Sequence, residues 1–209
     1  MKGLLLKDLY MIAKNCRMSI AISIVFALVS LFNMGNFSFF LLYPCMICGM
    51  IPVTLLGYDE RMKWIEYSGT LPCSRAQLVS VKYLIGLICQ SAMMLLILIG
   101  YTVKNMTAGT FRTEEFVSIL LMLISVSLLA TAISLPFIFK LGIEKGRVAY
   151  FISLGIVALL CVAGASLITE ELPDGVDGMA ILAAACAVSA VIYAASWYLS
   201  VVFYKRREL

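Results

Sequence analysis

The chain has 209 residues, of which 63% are apolar and only 13% charged. A water-soluble domain carries roughly a quarter charged residues, so a soluble core is excluded and a membrane protein is expected almost throughout. The formal net charge of +4, without histidine, is spread over many short basic clusters and gives no nucleic-acid footprint.

Residues 1–17 read as an amphipathic helix. At 100° per residue Leu5, Leu9, Ile12 and Cys16 share one face, with Leu6 and Ala13 beside them; Lys7, Asp8, Lys14 and Asn15 fall on the other. Such a helix suits the headgroup layer, with its bases near anionic lipid. The alternative is a plain flank of the first span. Lys7 and Asp8 interrupt the opening apolar run, so no cleavable signal is expected.

Six apolar stretches approach the ~20 residues needed to cross a bilayer. They are 18–34, 37–57, 83–103, 116–139, 148–169 and 179–204. Only Gly35 and Asn36 separate the first two, which predicts a tight antiparallel hairpin. The second holds Pro44 and Pro52, which remove backbone donors and predict a bend, as a hinge or as plain packing. Its Cys45 and Cys48 lie in apolar surroundings and read as packing residues rather than as a redox or metal pair. In the sixth, Ala183 with Ala187 and Ala190 with Ala194 have the spacing that permits close helix contact in lipid.

Fourteen of the sixteen Lys and Arg residues fall on the side that would hold both termini, leaving Lys104 and Arg112 opposite. This asymmetry predicts cytoplasmic termini. Within the expected spans there is no Asp, Glu, Lys, Arg or His. Ion-coupled transport and intramembrane catalysis depend on such groups, and no phosphate-binding loop is present. The chain is therefore expected to be no enzyme, with no catalytic residue, metal or cofactor of its own.

The most patterned stretch is the polar loop 58–82. Asp59–Tyr67 suits a short helix, with Asp59 four residues before Lys63 in the favourable order for an ion pair. Trp64 and Tyr67, three apart, form an aromatic ridge. Gly69 and Pro72 then turn the chain. Ser74 and Gln77 form a capping box opening a helix that runs straight into the third span. The residues alone leave two readings: a surface built to be pushed by a partner, or an aromatic belt at the membrane edge.

The pattern Asp59-Glu60, Trp64, Tyr67, Leu71-Pro72-x-Ser74-Arg75, Val79, Ser80-Val81-Lys82-Tyr83-Leu84 resembles the cytoplasmic loop of type-2 ATP-binding-cassette (ABC) transporter permeases, in the bacterial six-span subfamily that includes the phenol-soluble modulin exporters. Leu135–Arg147 (LPFIFKLGIEKGR) and the opening MKGLLLKDLYM are similar to the same group. Leu141 stands where the group usually has an aromatic residue.

The resemblance implies an all-α, polytopic permease with six transmembrane helices, an N-terminal elbow helix and both termini cytoplasmic, in a bacterial cell membrane. It implies a separate cytoplasmic ATPase subunit, which would hold ATP and Mg, and a second permease copy, identical or different. The loop would hold the coupling helix. Asp59, Glu60, Arg61, Lys63, Trp64, Glu66 and Tyr67 would dock the ATPase, while Leu71, Pro72, Ser74, Arg75, Lys82 and Tyr83 would anchor the loop to the third span. Lys140, Glu144, Lys145 and Arg147 would make a second cytoplasmic contact. The cargo would be hydrophobic or amphipathic, a peptide or a lipid-like molecule. The alternative is a membrane adaptor that docks a partner and transports nothing.

Overall fold

A computed structural model describes residues 2–32, 37–68, 74–109, 112–142 and 178–206, with isolated positions between 145 and 159. Every element among the described residues is helical: α1 (Lys2–Asn15), α2 (Arg17–Phe32), α3 (Phe37–Gly49), α4 (Ile51–Arg61), α5 (Trp64–Ser68), α6 (Arg75–Ala108), α7 (Thr113–Leu141) and α8 (Gly178–Arg206). This is an all-α membrane architecture. Arg75–Met106, Thr113–Lys140 and Gly178–Tyr204 are each long and apolar enough to cross a bilayer. A fourth crossing arises if Lys2–Asn15 and Arg17–Val29 are taken as one bent unit. The fifth expected span, 148–169, falls mostly outside the described residues.

The break between α1 and α2 turns the chain by 71°. Ile12 of α1 and Cys16, at the break, are buried in a cluster with Val81 and Ile85 of α6 and Ile51 and Leu55 of α4. The buried stripe therefore runs from Asp8 and Ile12 of α1 to Cys16 at the break, while Leu6 and Leu9 are exposed. The helical-wheel reading had put Asp8 on the polar face. Ile12 and Cys16 keep their expected inward place, and the buried countercharges described below rotate the helix enough to bring Asp8 in beside them and leave Leu9 exposed.

The second expected span is two helices. α3 ends at Gly49, and α4 restarts with Pro52 in its first turn, where a missing N–H costs nothing. α4 then continues past the predicted boundary to Arg61, so Asp59–Arg61 end α4 and do not begin the loop helix. Met62 and Lys63 form the turn, with Lys63 at φ 51, a left-handed conformation uncommon outside glycine. The short loop helix is α5 alone.

α6 opens on the capping box: the Ser74 Oγ accepts from the Gln77 N–H at 3.2 Å, and the Gln77 side chain accepts from the Ser74 N–H at 3.1 Å. It then runs 34 residues without a break to Gly109, whose φ of 66 closes it in the left-handed conformation. Gly86 permits a close crossing: a Cβ there would lie 3.1 Å from Pro52 Cγ of α4.

In lipid, helices gain little from hiding apolar surface from one another, so interhelical hydrogen bonds and close packing carry the association. Between α6, α7 and α8 these bonds form a seam. α7 lacks an N–H at Pro136, which frees the carbonyl of Ala132 four residues earlier. The Ser196 hydroxyl of α8 donates to that carbonyl at 2.6 Å. Because its single proton is used there, the Tyr83 hydroxyl must donate to Ser196 Oγ at 2.7 Å, and Ser200 must donate to the Tyr83 oxygen at 2.7 Å. Tyr193 of α8 donates to the Tyr83 carbonyl at 3.0 Å, and Trp197 Nε1 to Ser80 Oγ at 3.0 Å. A proline in one helix is thus answered by a serine in its neighbour.

Candidate functional site

Four charges meet where α1, α4 and α6 converge. Lys82 Nζ lies 2.6 Å from Asp8 Oδ2 and 2.6 Å from Asp59 Oδ2. Lys7 Nζ donates to Asp59 Oδ1 and lies 3.2 Å from Asp8 Oδ1. The result is a closed ring of alternating sign, Lys82–Asp8–Lys7–Asp59. Asp8 and Asp59 are each 2% exposed and Lys82 6%. Isolated charges at such burial would be neutralised or expelled; paired two by two, they leave the ring neutral overall.

The sequence reading had paired Asp59 with Lys63. The structure gives Asp59 to Lys7 and Lys82 because α4 continues through Asp59 and turns its carboxylate inward. Asp59 is consequently no surface docking group. Lys82 lies within the first third of α6, one residue before the expected start of the third span. Asp8 is the member that sequence reasoning missed. An acid interrupting an apolar opening helix was the available signal, and the periodicity of its neighbours pointed it outward.

The ring reaches the aromatic ridge through Lys7, whose Nζ lies 4.1 Å from the centroid of the Trp64 ring. Trp64 in turn lies 5.4 Å from the Tyr67 ring, tilted at 45°. Tyr67 is 59% exposed and Met62, in the preceding turn, 78%. α5 therefore rests one side of Trp64 on the charged ring and presents Met62 and Tyr67 outward. Behind it lies a pocket of about 40 Å³, bounded by Leu56, Asp59, Trp64 and Ser68 and by Ile138, Phe139 and Tyr204 from the ends of α7 and α8. That packing places α1, α5 and the later ends of α7 and α8 at one end of the bundle.

Of the other predicted residues, Glu60, Arg61 and Lys63 are exposed at the end of α4 and in the turn, and Ser74 and Arg75 are exposed at the start of α6. Tyr83 is buried in the seam. Lys140 is exposed at the end of α7, with its Nζ 5.3 Å from the Phe203 ring, and Lys145 is exposed. The side chain of Glu66, and Leu71, Pro72, Glu144 and Arg147, lie outside the described residues.

The arrangement defines a class: an all-helical membrane protein with a bent opening helix and a short aromatic helix held against a buried charge ring at one end. Residues 3–205 match the model of the ABC-2 family transporter proteins, and the chain belongs to that family. No curated protein and no solved structure matches it. Membership makes the chain a membrane permease component of an ABC transporter, in a family that works with a partner ATPase and typically as a dimer.

Proposed function

We propose that the chain is the permease subunit of an ABC exporter, and that α5 is the coupling helix through which a separate cytoplasmic ATPase drives it. The observation that carries this reading is the exposed Tyr67 in tilted contact with Trp64, on a five-residue helix seated on buried charges. A membrane-edge aromatic belt needs no such foundation. The charge asymmetry of the sequence puts this end in the cytoplasm, with both termini, and supports six spans. ATP and Mg belong on the partner. Glu60, Arg61 and Lys63 flank α5 and tune the electrostatic fit, while Lys140, Glu144, Lys145 and Arg147 supply a smaller second contact. The uncharged spans suit a hydrophobic or amphipathic cargo, a peptide such as those moved by the phenol-soluble modulin exporters, across a bacterial cell membrane by a pair of permeases.

Co-purification with the cytoplasmic ATPase subunit tests the docking reading. Trp64→Ala with Tyr67→Ala should abolish retention of the ATPase while leaving the permease folded. Undiminished retention would remove α5 from the interface. ATP-driven uptake of a dye-labelled amphipathic peptide into inverted vesicles then separates an exporter from an adaptor, which would hold the ATPase and move nothing.

A further inference from the structure

A push delivered to α5 has to reach the membrane helices, and its covalent route to α4 is a two-residue turn through Met62 and Lys63. The side-chain route is more direct. Trp64 rests against Lys7, and Lys7 belongs to the ring that also holds Asp8 of α1, Asp59 of α4 and Lys82 of α6. We propose that this ring is a positioning linkage, which makes α1, the end of α4 and the start of α6 move as one body with α5. The inference rests on the reading of α5 as the ATPase-docking helix. It adds that the bent opening helix α1 is a driven part of the transport cycle.

Stability alone does not account for the ring. Apolar residues of similar volume hold buried sites as well as ion pairs do, and often better. What alternating charges provide is an all-or-none geometry. Withdrawing α4 or α6 would strand a buried charge without its partner, and withdrawing α1 would break both of the hydrogen bonds it makes outward, Lys82 to Asp8 and Lys7 to Asp59, so the helices stay together or the site fails as a whole. Lys82 binds both carboxylates with two of its three protons, and Lys7 lies against both from the other side. No pair can part without disturbing the rest. The apolar cluster of Ile12 with Val81, Ile85 and Leu55 lies next to the ring and joins the same three helices.

The experiment uses the intact permease–ATPase complex in nanodiscs, with native cysteines replaced and spin labels at Tyr10 of α1 and Met62 beside α5. Both positions are exposed and outside the ring. Adding a non-hydrolysable ATP analogue should leave the 10–62 distance distribution unchanged, while the distance from Met62 to a label at Arg112, at the far end of α7, shifts. A second sample carries Lys7→Met, Asp8→Leu, Asp59→Leu and Lys82→Met together, which removes all four charges of the ring and leaves none unpaired. It should still retain the ATPase through Trp64 and Tyr67, but its 10–62 distance should shift or broaden with nucleotide. A nucleotide-dependent 10–62 distance in the unsubstituted ring overturns the linkage, as does an invariant one in the charge-free ring. Failure of the docking reading has a different signature: the ATPase is retained after Trp64→Ala and Tyr67→Ala.

Discussion

The ammonium of Lys7 sits 4.1 Å from the centre of the Trp64 ring while the same nitrogen donates to Asp59. The aromatic side chain of α5 is therefore held by a cation whose own position is fixed by buried carboxylates. A partly exposed contact of this kind contributes about 0.5–2 kcal/mol. A double-mutant cycle with Lys7→Met and Trp64→Leu, read by unfolding in detergent, should give a coupling energy of about 1 kcal/mol. Strictly additive effects would mean that the two side chains touch without interacting.

Lys82 carries the greater burden, because it faces two carboxylates at 2.6 Å in a site shut off from water. Lys82→Met leaves Asp8 and Asp59 with only the partly exposed Lys7 between them. Removing one partner of a buried pair costs about 3–5 kcal/mol, whereas replacing the whole set by apolar groups is often neutral. The single substitution should thus lower the unfolding free energy far more than the joint replacement of Lys7, Asp8, Asp59 and Lys82 by apolar residues. Thermal unfolding of both proteins checks the order; a quadruple variant as unstable as the single one would contradict it.

The pairing of Pro136 with Ser196 makes a sharper prediction. Ser196→Ala strips the donor from the Ala132 carbonyl, which Pro136 has already deprived of its helical partner. A buried carbonyl without a partner costs about 1–3 kcal/mol. In a Pro136→Ala background the restored N–H can take the Ala132 carbonyl, so Ser196→Ala should cost much less there. Equal losses in both backgrounds would show that the bond Ser196 accepts from Tyr83, rather than the one it donates to Ala132, carries its effect.

These cases mark how far the sequence was readable. The Ser74–Gln77 box and the unbroken helix behind it are local: cap chemistry and the lack of a breaker determine them, and the structure has both. Asp59 could not be placed in the same way. Its nearest base in sequence, Lys63, is the partner that helix spacing favours, but its actual partners come from 52 residues earlier and 23 later. Asp8 was harder still, because its bond to Lys82, 74 residues later, brought it inward at the expense of Leu9. The Pro136–Ser196 match joins helices 60 residues apart through an absent N–H, and composition carries no trace of it.

Cys16 offers a chemical report on whether α1 is seated. It lies at the bend between α1 and α2, is 2% exposed, and packs in the cluster that includes Ile12, Val81 and Ile85. Burial pushes its thiol above the usual value of 9.0, because the thiolate is disfavoured away from water. The sign follows: the folded state prefers the neutral thiol, so the seated α1 gains from this group below pH 9.0 and loses that gain as pH rises through the elevated folded value. Only the thiolate alkylates readily. In a protein whose other cysteines are replaced, Cys16 should resist maleimide at neutral pH and react faster as pH climbs past 9.0. Lys82→Met, which loosens the ring holding α1, should raise the neutral-pH rate toward that of an unfolded control. Fast labelling of the unsubstituted ring at neutral pH would show that α1 is not docked as described.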